Sequence, residues 1–191
     1  MVKRCSWVDE KSDIYKDYHD HEWGIPVYDD KKLYEMFLLE TFQAGLSWIT
    51  ILKKREAFKI AFDNFDVIKI AKYDQRKIEE LLNNKEIVRN KLKINATIKN
   101  AKIFIEIQDE FGSFSKYLWG FSNYKVIKNI DNIFKTTSKL SDDISNDLKK
   151  RGMSFVGSVT IYSYLQAVGI VNDHEIDCFC YNKKILKIKK T

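Results

Sequence analysis

Residues 149–158 read KKRGMSFVGS and join two amphipathic stretches that favour helices. Glycines at Gly152 and Gly157 bound this short connection, so we predict a tight turn between two antiparallel helices. The free N–H groups at the start of the second helix could hold a phosphate, and the neighbouring cations would assist. A helix-hairpin-helix element contacts DNA in this sequence-independent way. The alternative is an ordinary turn between helices with glycine caps.

The sequence on both sides of this turn is also typical of helices. The chain has one proline and seven glycines, and its apolar residues recur every three or four positions. We therefore predict a nearly all-α fold, with helices at about 32–44, 47–62, 66–72, 74–83, 90–111, 113–121, 141–151 and 157–167. Asp66, Asp74 and Ser141 are the expected N-caps of three of them, and Gly112 ends the long one. Residues 122–140 are interpreted as a long surface loop.

Composition narrows the class of protein. The 191 residues include 33 Lys+Arg and 27 Asp+Glu, a net charge of +6. No apolar run is long enough for a membrane span, and the first residues lack a signal-peptide core, so we expect a soluble, cytoplasmic protein without membrane contacts. Residues 183–191 carry five lysines, and without them the net charge is only +1. We expect one domain over residues 1–182 and a basic tail over 183–191. Because most of the excess charge lies in this tail, the net charge alone does not indicate that the protein binds nucleic acid.

Histidines and cysteines at the two ends of the chain form a candidate metal site. Three cysteines in an intracellular chain suit metal ligands or buried thiols better than disulfides. Cys5 and His19 near the N-terminus, with His174 and Cys178 near the C-terminus, offer donors that zinc prefers. His174 and Cys178 would share a face if their segment is helical. The rival ligands are His21 and Cys180, and the alternative is a set of buried side chains without metal.

The metal hypothesis carries a functional consequence. Four protein ligands would fill a tetrahedral coordination sphere and leave no open position for a substrate. Such a site would have a structural role, because it would link the two ends of the chain. A zinc ion that catalyses hydrolysis would instead need an open coordination position for water or substrate.

Aromatic residues gather around one acid in the first quarter of the sequence. A carboxylate among aromatic faces suits a flat, cationic or electron-poor ring, which stacks on the rings and donates to the acid. The alternative is that aromatics at helical spacing belong to the core. The residues concerned are Trp7, Tyr15, Tyr18, Trp23, Glu40, Phe42 and Trp48.

Five stretches together resemble one protein family. They are RCSW at 4–7, YHDHEWGIP at 18–26, ETFQAGLSWIT at 40–50, the connection at 149–157 and GIVNDH at 169–174. In this order they resemble the bacterial DNA-3-methyladenine glycosylase I family, over about residues 4–181. The resemblance implies an all-α helix-hairpin-helix glycosylase fold with a structural zinc ion, one per chain, held by Cys5, His19, His174 and Cys178.

The resemblance also implies a role for the acid and its aromatic neighbours. Glu40 would be the catalytic residue, and with Tyr18 it would hydrogen-bond the flipped base while Trp48 stacks on it. Trp7, Tyr15 and Trp23 would line the same pocket.

DNA contacts are expected in two segments. Gly45 and Leu46 would press into the gap left by the extruded nucleotide. The hairpin would supply further contacts, from Lys150, Gly152, Val156, Gly157 and Ser158.

The implied activity is base-excision repair of double-stranded DNA that contains alkylated adenine. Hydrolysis of the N-glycosidic bond would release 3-methyladenine and leave an abasic site. Asn172 stands where many relatives in the superfamily have a catalytic aspartate, and no lysine stands at the lyase position, so we expect a monofunctional enzyme that acts as a monomer. The rival hypotheses are a DNA-binding module without catalysis and a zinc-dependent hydrolase.

Overall fold

The computed structural model describes residues 2–130 and 133–182, so the basic tail at 183–191 lies outside the described residues. The described part is mostly helical. Its helices are α1 (Asp13–His21), α2 (Asp30–Gln43), α3 (Trp48–Ala61), α4 (Val67–Ile70), α5 (Gln75–Asn83), α6 (Lys91–Phe111), α7 (Phe114–Gly120), α8 (Lys139–Lys150) and α9 (Ser158–Ala167).

Most helix boundaries follow the capping residues that the sequence shows. Asp66 and Asp74 accept hydrogen bonds from the first-turn N–H groups of α4 and α5, as predicted. Gly112 ends α6 with φ of +81°, a backbone conformation that glycine adopts without a steric penalty. The bounds of the predicted helices are therefore confirmed to within about two residues, with the exception of the start of α8, whose N-cap lies three residues before the predicted one.

Three features differ from the predictions. Helix α1 was not predicted, because it is only nine residues long and carries several aromatic side chains. Helix α8 starts at Lys139, because Ser138 and not Ser141 is its N-cap. The Ser141 hydroxyl accepts a hydrogen bond from the Ser138 N–H, so Ser141 completes a capping box within the first turn.

The third difference lies in the predicted surface loop 122–140. Its residues Ile127–Lys128 form a short strand, β1, which pairs in parallel with β2 (Val171–Asn172). The fold is therefore mostly helical, with this short pairing as the exception to the all-α prediction. Because the partners are more than 40 residues apart, no local pattern in the loop predicts the pairing.

Helix α2 runs through the centre of the core. Residues 33, 34 and 36–42 are all buried, and the helix packs against α3, α6, α7 and α9. From Met36 to Phe42 every residue is buried, so this part of the helix presents no polar face to solvent and a charged residue within it is unusual. Glu40 occupies such a position. Within the described residues no helix combines the length and apolar character of a membrane span.

Helices α8 and α9 pack against each other across the turn at 151–157. Gly152 has φ of +100°, and Phe155 has φ of +59°, which is uncommon for a residue with a side chain. The Ser145 hydroxyl donates to the Val156 carbonyl at 2.6 Å and ties the turn to α8. This arrangement matches the predicted tight connection between two helices.

Candidate active site

One cavity of about 530 Å³ lies where α1, α2, α3 and α9 meet. All six residues predicted for a base pocket line it, although they come from three separate stretches of sequence. They are Trp7, Tyr15, Tyr18, Trp23, Glu40 and Trp48. The structure therefore favours a pocket for these six residues, whereas Phe42 does not line the cavity and packs in the core against Phe58 and Phe62.

Glu40 supplies a carboxyl group at the buried wall of this cavity. The residue is 4% exposed, and its Oε2 has no hydrogen-bond partner among the residues that the structure describes. Burial raises the pKa of Glu40 to about 8, because a charge in an apolar environment loses its hydration. An unpartnered buried carboxyl is costly for stability, so it indicates a site that a ligand completes.

Aromatic side chains form much of the cavity wall around Glu40. The Tyr18 and Trp48 rings lie 5.3 Å apart between centroids and are tilted by 52°. Trp48 Nε1 is buried and has no hydrogen-bond partner within residues 2–130 and 133–182. Burial also raises the pKa of Tyr18 well above its usual value, which keeps the hydroxyl protonated and able to donate.

The four predicted metal ligands come together in one buried cluster. Cys5, His19, His174 and Cys178 offer ligand atoms that all lie within 4.8 Å of one another. Cys5 Sγ lies 3.5 Å from His174 Nδ1, and Cys178 Sγ lies 3.4 Å from His19 Nε2. Tetrahedral zinc with ordinary bond lengths separates a sulfur from a nitrogen ligand by about 3.6 Å. The donor set and its spacing therefore fit zinc.

The surroundings of the two histidines are also typical of metal ligands. His19 Nδ1 lies 2.8 Å from Asp20 Oδ1, and His174 Nε2 lies 3.2 Å from the Trp23 carbonyl oxygen. Such acceptors fix the orientation of a ligating imidazole. Gly24 is necessary here, because a Cβ at this position would lie 2.9 Å from His174 Nε2.

The segment that carries His174 and Cys178 differs from the helix considered in the sequence analysis. It forms a turn in which the Cys178 N–H donates to the Glu175 carbonyl at 2.8 Å. The turn nevertheless brings Cys178 Sγ within 3.7 Å of His174 Nδ1. The spacing of four residues was therefore informative, although the helical explanation for it was wrong.

The rival ligands occupy different positions. His21 is largely exposed and pairs with Asp17 at 3.0 Å, away from the buried cluster. Cys180 is buried and groups with His19 and Asp20, so it shares one residue with the cluster of four. The group with four sulfur and nitrogen donors satisfies the preference of zinc more fully.

Aromatic contacts connect the metal cluster with the cavity. The Trp23 ring packs edge-on against His174 at 4.6 Å, and the Trp7 ring packs against His19 at 5.4 Å. Trp7 and Trp23 also contact each other at 5.0 Å. One wall of the cavity therefore rests directly on two of the predicted metal ligands.

The residues predicted to contact DNA lie on two turns. Gly45, with φ of +81°, and Leu46, which is 40% exposed, form the junction between α2 and α3. At the other turn a Cβ on Gly157 would meet nothing within 4 Å, so this surface is open to a close approach.

The remaining hairpin residues differ in exposure and in their hydrogen bonds. Lys150 is exposed, and Gly152 forms the bend of the turn. Ser158 shares a hydroxyl hydrogen bond with Ser141 at 2.8 Å. Val156 is buried and its carbonyl accepts a hydrogen bond from Ser145, so it is the least accessible of the hairpin residues predicted to contact DNA.

Several cavity residues were missed by the sequence analysis. Gln43 lies one turn after Glu40 on α2, a spacing that could have identified it. Gln166 and Asp173 also line the cavity, and Gln166 Nε2 donates to Asp173 Oδ2 at 2.6 Å. No spacing pattern connects these two with Glu40, because they reach the cavity only through the packing of α9 on α2.

Comparisons with known proteins agree with the geometry. A family model described as methyladenine glycosylase matches residues 7–181. The DNA-3-methyladenine glycosylase of Haemophilus influenzae is 43% identical over 183 residues, which cover 94% of this chain and 98% of the relative.

Solved structures give the same result. A crystal structure of 3-methyladenine DNA glycosylase I matches with a TM-score of 0.89 and 43% identity, covering 94% of this chain and all of the other. A tyrosine-to-phenylalanine variant of such an enzyme, in complex with 3-methyladenine, matches with a TM-score of 0.88 and 36% identity over 94% of this chain and 98% of the other. The resemblance based on the five sequence stretches is thus confirmed, and the chain belongs to the methyladenine glycosylase family.

Proposed function

We propose that this protein hydrolyses the N-glycosidic bond of 3-methyladenine in alkylated double-stranded DNA, as an enzyme of base-excision repair. The observation that carries the proposal is Glu40, a buried carboxyl whose Oε2 has no partner among the described residues, on the wall of a cavity lined with aromatic side chains. Relatives with this fold are named for the same activity, and one is solved with 3-methyladenine.

The pocket selects a cationic base. Methylation at N3 gives the nucleobase a positive charge, which a carboxylate in an apolar site attracts strongly. Tyr18 donates a hydrogen bond from its hydroxyl, and Trp48 stacks on the ring. A neutral purine would leave the Glu40 carboxyl without a partner in a buried site, so normal bases are rejected.

The base reaches this pocket by rotation out of the duplex. Unstacking costs a few kcal/mol and is easier for a damaged base pair. Leu46 fills the vacated space in the stack, while the first turn of α9 holds a backbone phosphate through its free N–H groups. These contacts carry no sequence information, which suits an enzyme that must find lesions in any context.

Hydrolysis leaves an abasic site. The methylated base leaves as a neutral molecule, so strong general acid catalysis is unnecessary, and water completes the displacement at the sugar. Among the described residues that line the cavity there is no lysine, which supports a monofunctional enzyme without lyase activity. Asn172 serves the metal segment, since its Oδ1 accepts from the His174 N–H at 3.2 Å.

The metal in this proposal is a structural zinc held by Cys5, His19, His174 and Cys178. When bound it supplies a crosslink between the two ends of the domain, and its four protein ligands leave no position for water. This closed sphere favours the clip over a zinc-dependent hydrolase. We further propose that the protein acts as a cytoplasmic monomer.

The test of the function is release of free bases from duplex DNA treated with a methylating agent. We expect the wild-type protein to release 3-methyladenine well above the rate of spontaneous loss, while unmodified adenine in the same DNA is not released, because a neutral base leaves the Glu40 carboxyl without a partner. Chromatography of the released bases measures both. DNA binding without any base release would support the alternative of a non-catalytic binding module.

The pH dependence of excision should report the ionisation of Glu40. Because burial raises the pKa of Glu40 to about 8 in the free protein, the carboxyl is mostly neutral at pH 6 and ionised above pH 8. The cationic base requires the ionised form, so kcat/KM should rise by about tenfold per pH unit up to pH 8 and then level off. Single-turnover rates at constant ionic strength measure this profile. A flat profile in the wild type would contradict it.

A further inference from the structure

Lys93 is a buried cation that binds the end of helix α2. The residue is 6% exposed, and its Nζ donates to the Phe42 carbonyl at 2.8 Å and to the Ala44 carbonyl at 2.6 Å. No carboxylate pairs with it among the residues that the structure describes. The last carbonyls of a helix lack internal partners and carry the negative end of the helix dipole, so a lysine satisfies both requirements.

The same face of α6 also holds the hairpin turn. Asn100, two turns after Lys93, donates from Nδ2 to the Ser154 carbonyl at 2.9 Å and accepts from the Ser154 N–H at 2.9 Å. Lys93 Nζ itself lies 6.0 Å from the centre of the Phe155 ring. Phe155 is the residue with φ of +59°, so these contacts hold a turn that would otherwise relax.

Helix α6 therefore connects the two turns that face DNA in the proposed function. Lys93 fixes the junction that carries Leu46, and Asn100 fixes the turn that precedes α9. Seven residues of helix separate the two anchors by about 10 Å along a rigid axis. The distance between the two turns is consequently set by one helix and two side chains.

We propose that Lys93 is a positioning residue for duplex DNA, which holds Leu46 in register with the phosphate-binding turn so that both engage the same lesion. The inference rests on the proposed function, since it concerns the same reaction. Lys93 is not among the residues that line the cavity, so it acts on the base only through the junction. Small displacements of positioning groups can reduce rates strongly, because the reacting geometry is narrow.

The charge of Lys93 matters more than its bulk. A methionine at this position would keep the length of the side chain and its packing. It would leave the Phe42 and Ala44 carbonyls without their donor, and the junction would have to move to find water. Lys93→Met is thus the informative variant, and Lys102→Met is its control, because Lys102 is an exposed lysine on the same helix.

The experiment compares three measurements on the wild type and both variants. The first is single-turnover excision of 3-methyladenine from duplex DNA, and the second is excision from the same strand without its complement. The third is the affinity for free 3-methyladenine, followed by tryptophan fluorescence. A single strand needs no side chain to fill a base stack, so only the first measurement depends on the register of the two turns.

We expect Lys93→Met to reduce duplex excision by about tenfold or more, with the other two values within about twofold of wild type. Lys102→Met should match the wild type in all three. Unchanged duplex excision would overturn the proposal, and so would an equal loss in all three measurements, which indicates a general structural defect. If Lys93→Met does not fold, Lys93→Gln is measured by the same criteria. Failure of the wild type to excise would instead contradict the proposed function.

Discussion

Replacement of Glu40 by glutamine should reduce excision of 3-methyladenine from duplex DNA by about 100-fold in kcat/KM. The amide keeps the size of the side chain but removes the negative charge that faces a cationic base in a buried pocket. Hydrogen bonds to charged groups contribute up to about 3 kcal/mol, which corresponds to this factor. Single-turnover release of free base, separated by chromatography, measures the change.

Three controls separate this effect from damage to the fold. Affinity for undamaged duplex should stay within about twofold, because backbone phosphates are held outside the pocket. Glu56→Gln, which removes an exposed charge from α3, should leave excision unchanged. Thermal stability should not fall in Glu40→Gln, since burial already disfavours the carboxylate and raises its pKa to about 8. Wild-type activity in this variant would remove Glu40 from the catalytic role.

Loss of a metal ligand should destabilise the whole domain. In Cys178→Ala we expect bound zinc to fall from about one ion per chain to none, because the buried cluster then lacks one of its four ligands. Removing a structural metal costs several kcal/mol, and for a domain of this size each kcal/mol lowers the Tm by about 2–4 °C. A decrease of about 10 °C or more should follow in thermal unfolding, with zinc measured by mass spectrometry.

The matched control is His21→Ala. His21 is a neighbour of the ligand His19 in sequence, yet it is exposed and paired with Asp17. This variant should keep its zinc and unfold within about 2 °C of the wild type. A protein that lacks zinc after dialysis against a chelator, and still unfolds at the original temperature, would contradict a structural role for the metal.

Local chemistry explains how much of the fold was predictable. Asp66, Asp74 and Gly112 act through residues within one helical turn, so the sequence alone predicted the helix ends that they form. The parallel pairing of Ile127 with Val171 depends on how the helices pack. The sequence pattern within residues 122–140 therefore does not predict it. The start of α8 was wrong for a subtler reason, since Ser138 and Ser141 are both good capping residues.

The site was predictable in a different way. Spacing suggested the pairing of His174 with Cys178, but it did not show that Cys5 would meet them across 169 residues. The five stretches that resemble a family supplied that connection and the identity of Glu40. What they did not supply was the supporting structure, such as Lys93 beneath the α2–α3 junction, because such a lysine is indistinguishable in sequence from an exposed one.

The contact of the cavity wall with the metal ligands affects the order of events during synthesis. A ribosome makes the N-terminal segment first, so Cys5, His19 and Trp7 leave the exit tunnel long before His174 and Cys178. Until the last of these residues emerges, the proposed metal site lacks half of its four ligands and the Trp7–Trp23 wall lacks the support of His174. A nascent chain therefore completes this wall of the cavity only after Cys178 has left the exit tunnel.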